Sequence, residues 1–332
     1  MEEKVIFAPK TVKIKGGEIL IRLLREEDGP QLALEEQAQG WGTTTEKFET
    51  RMRDFAAGAC IPLCAELDGK PVGYVNLYKE PGGPFAGTGW PYIVDFAVLE
   101  RVRGRGVGSA LMDAVDVAAV NLEAVFTDQT TGDTSRNAPA ALAEALAQMG
   151  VDVVQTANSY SILQGLAGLS STMETIRNAG MQTAGTCATA AEYAKTKGVT
   201  LVEVKGLKIA FVAFTKGVGN LNLPEGGDHS VNLLYRDYSS TYSKVDTAQI
   251  QTVLDAAKAL NPDITIALLH WGSEYDQTVS STQETIRKLL LSNGVNAIIG
   301  THPHIVGPIV EENGTLTAYS IGDLCGLDQD RN

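Results

Sequence analysis

From about Asn121 onward, apolar stretches and amphipathic stretches alternate with a regularity that leaves few folds open. "VDVVQTAN", "TLVEVKGLKIAFVAFT", "DITIALLHWG", "VNAIIGTHPHIV" and "TLTAYSIG" read as buried strands, because strands covered on both faces are apolar along most of their length. Between them, "APAALAEALAQMG", "LSSTMETIRNAG", "TAAEYAKTKG", "DTAQIQTVLDAAKAL" and "TQETIRKLLLSNG" read as helices. Several of these close on Gly, the residue that takes the left-handed cap conformation at least cost. Strand–helix alternation of this kind predicts an α/β sheet with helices on its faces. One polar, glycine-containing stretch, 217–244, breaks the pattern and is expected to be a long irregular excursion.

The first third of the chain has another texture. "EILIRLLREED" reads as a strand running into a turn, and a helical region follows over 29–57. "IPLCAELDGKPVGYVNLYKE" reads as two strands joined by Asp-Gly, a strong hairpin signal. "GGPFAGTGW" is a glycine-rich loop, and "PYIVDFAVLE" is a third strand. Next, "VDFAVLERVRGRGVGSALMDAV" places a strand, a basic glycine turn and a helix in immediate succession. Gly104, Gly106 and Gly108 let main-chain N–H groups converge on an anion, and the helix adds the positive end of its dipole. Arg103 and Arg105 add charge beside it. The glycine-loop helix is expected to run to about Ala118, with "AVNLEAVF" a core strand of the alternating region. The join then falls near Ala119–Asn121, giving domains 1–119 and 120–332 with no Pro/Gly/Ser linker between them.

Composition narrows the function classes. A formal net charge of −13 over 332 residues argues against non-specific nucleic-acid binding and against an anionic membrane surface. No apolar run approaches the roughly 20 residues of a membrane helix, so direct membrane insertion is not expected. The start lacks a basic head followed by an apolar stretch, so the chain as written reads as cytoplasmic. Cys60, Cys64, Cys187 and Cys325 are too few for a disulfide framework in a chain this long, and read as reduced structural thiols.

Of four histidines, His270, His302 and His304 lie in "LLHWGSEY" and "IIGTHPHIV", each following an apolar strand. Ligands gather at such strand ends in open α/β sheets. A pair at i and i+2 projects to one side of an extended segment and suits a shared metal. Imidazoles with carboxylates nearby favour Mn, Fe or Zn over Mg or Ca. The bland alternative is histidines hydrogen-bonded to loop carbonyls.

Two resemblances add to this reading. Residues 18 to 119 resemble the GNAT acetyltransferase family through "ILIRLLREED", "GKPVGYVNL" and "RVRGRGVGSAL". That resemblance implies acetyl-CoA, with its pyrophosphate held by Arg103, Gly104, Arg105, Gly106, Val107, Gly108 and Ser109. It also implies that the backbone of Phe96, Ala97 and Val98 pairs with the pantetheine arm, and that Asp95 or Glu100 is the nearest base. The strand, helix and closing strand pair that complete the family's fold do not follow Ala119.

Residues 119 to 324 resemble the CapA family of poly-gamma-glutamate capsule synthesis, which has a metallophosphatase-like fold. The matching motifs are "VNLEAVFT", "HWGSEY", "IIGTHPHIV" and "AYSIGDL". Carried over, Glu123, Asn158, His270, His302 and His304 would line a metal or phosphate site, with His270 and Glu274 as catalytic groups. The family's Asn-Asn-His, followed by an Asp, is here Asn158, Ser159, Tyr160, with Leu163 at the Asp position. Tyr160 would fill the space of the lost imidazole. The family's first strand, ending in Gly-Asp, is absent, which would leave an open sheet edge or groove.

The expected fold is therefore α/β: a partial GNAT-like α+β unit followed by a CapA/metallophosphatase-like sandwich lacking its first strand. The expected cofactor of the second part is a divalent metal (Mn, Fe or Zn), bound weakly or singly. The expected ligand is an anionic or phosphorylated substrate or a capsule polymer precursor. The resemblance implies metal-assisted hydrolysis, with His302 and His304 as ligands and His270 as ligand or acid. An acetyl-CoA-dependent N-acetyltransferase and a non-catalytic binding or scaffold protein are the alternatives. CapA relatives are usually exported or membrane-anchored.

Overall fold

The computed structural model describes residues 7–78, 92–112, 116–128 and 130–323. They form two compact units, Met1–Asp116 with Gln148–Gly150, and Val117–Ala147 with Val151–Asn332.

The first unit contains β1 (Lys10–Ile14), β2 (Gly17–Leu23), α1 (Asp28–Ala38), α2 (Thr45–Ala56), β3 (Cys60–Leu67), β4 (Lys70–Tyr78), β5 (Tyr92–Val98) and α3 (Val107–Met112). The strands make one antiparallel sheet in sequential order, β1 to β5. The expected helical region is two helices, parted at Gly40, whose φ of +84° ends α1. Asp68 and Gly69 have φ of +51° and +76°, as the two-residue turn between β3 and β4 requires. Leu32, Phe48, Leu63, Val75 and Leu111 lie in one core against the sheet. Arg22 is buried at its edge and donates to both carboxylate oxygens of Asp28 (2.6 and 2.8 Å) and to Glu66 (2.6 Å). This cluster ties β2 and β3 to the start of α1. The loop "GGPFAGTGW" lies outside the described residues.

The second unit contains β6 (Ala119–Asn121), β7 (Val125–Phe126), β8 (Asn137–Ala138), α4 (Ala140–Gln148), β9 (Val153–Gln155), α5 (Gly165–Asn178), β10 (Gln182–Ala184), α6 (Ala190–Thr196), β11 (Thr200–Val204) and β12 (Leu207–Thr215). It continues with α7 (Thr247–Ala259), β13 (Ile264–His270), α8 (Ser281–Ser292), β14 (Ala297–Thr301), β15 (Ile309–Glu312) and β16 (Thr315–Ala318). Three strands form a parallel sheet, β10-β9-β6. Six form a mixed sheet, β11-β12-β13-β14-β16-β15, in which β12, β13, β14 and β16 run parallel.

Side-chain alternation stacks these sheets. Phe211, Ala213 and Leu268 pack against Val153 and Ala184 of the smaller sheet. The residues between them, Val212, Phe214, Ala267 and Leu269, pack against Ile250, Val253, Leu254, Ile286 and Leu290 of α7 and α8. On the far side, Val154 meets Ala143 of α4 and Ile176 of α5. The result is a four-layer α/β/β/α unit.

Two expectations need correcting. Val117 and Ala118 are not helical, so the helix after the glycine turn stops short of Ala118. "AVNLEAVF" is not one strand, because Leu122–Ala124 leave the sheet between β6 and β7. Within the described residues, β6 pairs only with β9 and forms an edge of the smaller sheet. The 217–244 stretch has no helix or strand beyond isolated bridges, as expected. No helix among the described residues is long and apolar enough to cross a membrane.

Candidate functional site

Parallel register builds the site. It sets Thr215 beside His270 and His270 beside Thr301, so β12, β13 and β14 end level. The residues that follow, Lys216, Trp271 and His302, leave the sheet at one edge. Trp271 anchors this edge: its indole is fully buried, donates to the Tyr319 carbonyl (2.9 Å) and stacks on the Tyr319 ring. Gly300 is required beneath it, because a Cβ there would lie 2.0 Å from the Tyr319 carbonyl oxygen.

The His-Pro-His segment is not extended, contrary to the expectation from its i, i+2 spacing. His302 and His304 have φ of +95° and +59°, left-handed conformations that cost free energy in residues with a Cβ. The turn still brings the rings together. His270 and His302 have centroids 4.6 Å apart, and His302 and His304 6.2 Å apart. Ligand atoms of Glu274, His302 and His304 all lie within 4.8 Å of one another. Two imidazoles and a carboxylate fit a zinc-, manganese- or iron-type ion and would leave a coordination position open. His304 Nδ1 lies 3.0 Å from both carboxylate oxygens of Asp323, a partner that fixes the ring.

Burial and nearby positive charge keep His270 and His302 neutral. His270 is fully buried, and desolvation, then His302, His304 and Lys216, push its pKa well below the ordinary value. Burial, then Lys216 and His304, bring His302 down to about 3. Lys216 is half-buried, and desolvation lowers its own pKa. Its ammonium donates to the Gly272 carbonyl (2.6 Å), lies 3.5 Å from His302 Nε2 and sits over the Tyr242 ring.

Glu123 and Asn158 approach from the smaller sheet. Glu123 Oε1 accepts from the Asn121 amide (3.0 Å) and lies 3.6 Å from His270 Nδ1, and burial raises the carboxyl's pKa. Asn158 is committed internally: it donates to the Leu122 carbonyl (2.6 Å) and accepts from the Tyr160 N–H (2.9 Å). Tyr160 does not take up a contact with the histidines. Its hydroxyl accepts from Arg136 (2.9 Å), whose guanidinium also lies over the ring. Ser159 makes the contact instead, with Oγ 3.0 Å from His270 Nε2. A small open hollow lies alongside, lined by Leu122, Asn158, Tyr160 and Leu169 among others, with room for about 10 Å³.

Sequence reasoning passed over Lys216, Ser159, Asp323 and Arg136. Lys216 follows β12 directly, as the site histidines follow their strands, so the same strand-end argument reaches it. Ser159 and Asp323 stand inside motifs quoted for other residues. Arg136 comes from an irregular loop and carries no sequence signal.

In the first unit, Gly104 and Gly106 have φ of +70° and +93°, and α3 begins at Val107. The two loop arginines are turned to main-chain carbonyls. Arg103 donates to Val98 O (3.1 Å), and Arg105 donates to the carbonyls of Lys15 and Gly16 (both 3.1 Å). They brace the loop, which leaves any anion there to main-chain N–H groups. Phe96, Ala97 and Val98 pair with β4 on one side, and β5 is the sheet's edge strand among the described residues. Glu100 is exposed beside Arg103. Asp95 lies opposite Asn76 in the register, and its side chain and that of Ser109 lie outside the described residues.

Residues 105–326 match the bacterial capsule synthesis protein PGA_cap, a span that contains every group of the imidazole cluster. The chain belongs to this family. The acetyltransferase (GNAT) family matches residues 24–143, so the PGA_cap segment follows a GNAT segment in one chain and the two matches overlap over 105–143. The PGA biosynthesis protein CapA of Bacillus subtilis (strain 168) is 25% identical over 179 residues, 54% of this chain and 43% of the relative. The capsule biosynthesis protein CapA of Bacillus anthracis is 26% identical over 184 residues, 54% of this chain and 41% of the relative. The chain thus spans about two fifths of the length of these curated relatives. Sulfate thiohydrolase SoxB of Thermus thermophilus aligns at a TM-score of 0.35 and 14% identity, over 55% of this chain and 30% of that one. The His-Trp-Gly and His-Pro-His segments lie side by side here because β13 and β14 are adjacent and parallel.

Proposed function

We propose that this PGA_cap chain acts in capsule polymer (poly-gamma-glutamate) biosynthesis, and that its second domain, from residue 120, binds an anionic or phosphorylated group beside one divalent cation. Glu274, His302 and His304 would hold the cation. The observation that carries this reading is the convergence of their ligand atoms within 4.8 Å. A bound cation of this type acts as a Lewis acid and lowers the pKa of a bound water.

The chain's own residues supply the rest. His302 stays neutral and can ligate at neutral pH, and Asp323 orients His304. Glu123 and Asn158, committed to Asn121 and Leu122, hold the end of the smaller sheet against the cluster. Two features favour an anionic ligand. Neither Lys216 nor Arg136 has a carboxylate within 4.0 Å among the described residues, although the chain carries 40 acidic side chains. Both cations also border the cluster electrostatically, Lys216 on the histidines and Arg136 on Glu123. Cations with no carboxylate in ion-pair contact, in an acidic protein, suit an incoming anion.

The test is thermal stabilisation of the purified chain by Mn or Zn. A ligand at 100 times its dissociation constant adds about 2.7 kcal/mol, a shift of several degrees. The shift should vanish in His302→Ala and His304→Ala and survive in Asn158→Ala. No shift in the unaltered chain, or one indifferent to both histidines, overturns the reading.

A second reading concerns the first domain, residues 1–119. The edge position of β5 and the left-handed glycines of the 103–109 loop favour acetyl-CoA binding there. Main-chain N–H groups would meet the pyrophosphate, and the open edge of Phe96–Val98 would meet the pantetheine amides. A melting shift with acetyl-CoA that Gly106→Val removes is the expected result.

A further inference from the structure

Ser159, His270 and Glu123 come from three separate segments and meet in the order of a nucleophile, a base and an acid. Ser159 Oγ is 3.0 Å from His270 Nε2. The other ring nitrogen, Nδ1, lies 3.3 Å from Thr301 Oγ1 and 3.6 Å from Glu123 Oε1. An Nδ1–H donated to the threonine and directed toward the carboxylate leaves Nε2 as an acceptor for the serine proton. Ser159 is only partly buried, whereas His270 is fully buried behind it, so a substrate reaches the hydroxyl before the base.

A second observation points the same way. Among the described residues, the main-chain N–H of Ser159 donates to no acceptor, while the N–H groups of Asn158, Tyr160 and Ser161 are all taken. An N–H of the nucleophile itself is the kind of donor that receives the oxyanion of an acyl-transfer intermediate.

We propose that Ser159 is a catalytic nucleophile for acyl transfer, with His270 as its base and Thr301 and Glu123 as positioning residues. The substrate class is an amide or ester whose acyl part carries negative charge, because the ammonium of Lys216, which has no carboxylate within 4.0 Å among the described residues, borders the same imidazoles. Attack of Oγ on the carbonyl carbon forms an acyl–serine ester. The proton of Ser159 passes through His270 Nε2 to the leaving amine or alcohol as its bond to the acyl carbon breaks. Water then attacks the ester, gives one proton to Oγ through the same nitrogen, and releases the carboxylic acid. No oxidant or further reactant is needed. This step uses groups beside the proposed cation ligands and does not depend on the cation.

The test is an alkyl fluorophosphonate, which loses fluoride when a serine activated in this way attacks phosphorus. The full chain is treated in chelator and followed by intact mass and peptide mapping. One adduct at Ser159 is expected, absent in Ser159→Ala, a variant that should keep the melting temperature and the Zn response. His270→Gln should slow labelling by about 100-fold or more. Because His270 is fully buried, Glu123→Gln provides a second variant, expected to slow labelling roughly tenfold with the fold intact. No adduct on the folded chain, an adduct elsewhere, or rates indifferent to His270 and Glu123 would overturn the proposal. Labelling without any Mn or Zn response would remove the cation reading alone, and the converse would remove this one alone.

Discussion

The neutral, buried state of His302 makes the second unit sensitive to mild acid. An unfolded histidine has a pKa near 6.5, whereas His302 in the fold is brought down to about 3 by burial and by Lys216. A depressed folded pKa means that the unfolded chain binds the proton first. The stability is therefore fully present above pH 6.5 and is lost as the pH falls toward 3. Between pH 7.5 and pH 5 this histidine alone costs about 2 kcal/mol, or about 4–8 °C in melting temperature for a unit of this size. His270 acts in the same direction, since burial lowers its pKa as well. Glu123 opposes both, because burial raises its pKa and acid then favours the fold. The measurement is unfolding of the metal-free chain followed by Trp271 fluorescence in a Trp41→Phe, Trp90→Phe background, which leaves one indole, in the second unit. His302→Gln should recover about 2 kcal/mol of the loss between the two pH values. An unchanged loss in that variant would refute the argument, as it would show that the imidazole is not held neutral by the fold.

Two further outcomes follow from packing. Arg22→Ala should destabilise the first unit by about 3–5 kcal/mol in urea unfolding, because it strands the buried Asp28 carboxylate that the guanidinium grips with two hydrogen bonds. Gly185→Ala should cost the second unit about 2–4 kcal/mol by the same measurement. Its φ is +88°, and a Cβ there would fall 2.6 Å from Ala157 Cβ and 2.8 Å from the Ala213 carbonyl.

Much of the framework was legible along the chain because it depends on local pattern. Period-2 and period-3.6 spacing, closing glycines and the Asp-Gly turn are written within single segments. The strand carrying His270 and the helices α4 to α8 therefore stand where the pattern places them. The breaks were less legible. Gly40 divides the first helical region, and Leu122–Ala124 divide "AVNLEAVF", although neither interrupts the hydrophobic pattern strongly. The histidines were legible as strand-end residues, but the backbone of the His-Pro-His turn was not. Its left-handed φ values are held by surrounding structure against the residues' own preference.

The sequence alone determined the strand–helix order, the family motifs and the three imidazoles at strand ends, since each is a matter of residue type and spacing. Tertiary structure decided which atoms meet. The parallel register of β12, β13 and β14 brings Lys216, His270 and His302 to one edge, and the packing of two sheets carries Glu123 and Ser159 to His270. It also turned Arg103 and Arg105 toward main-chain carbonyls that the linear order does not reveal. The physical reason is that hydrogen-bond partners and desolvation depend on distances between segments far apart in the chain, and those distances exist only once the layers have packed.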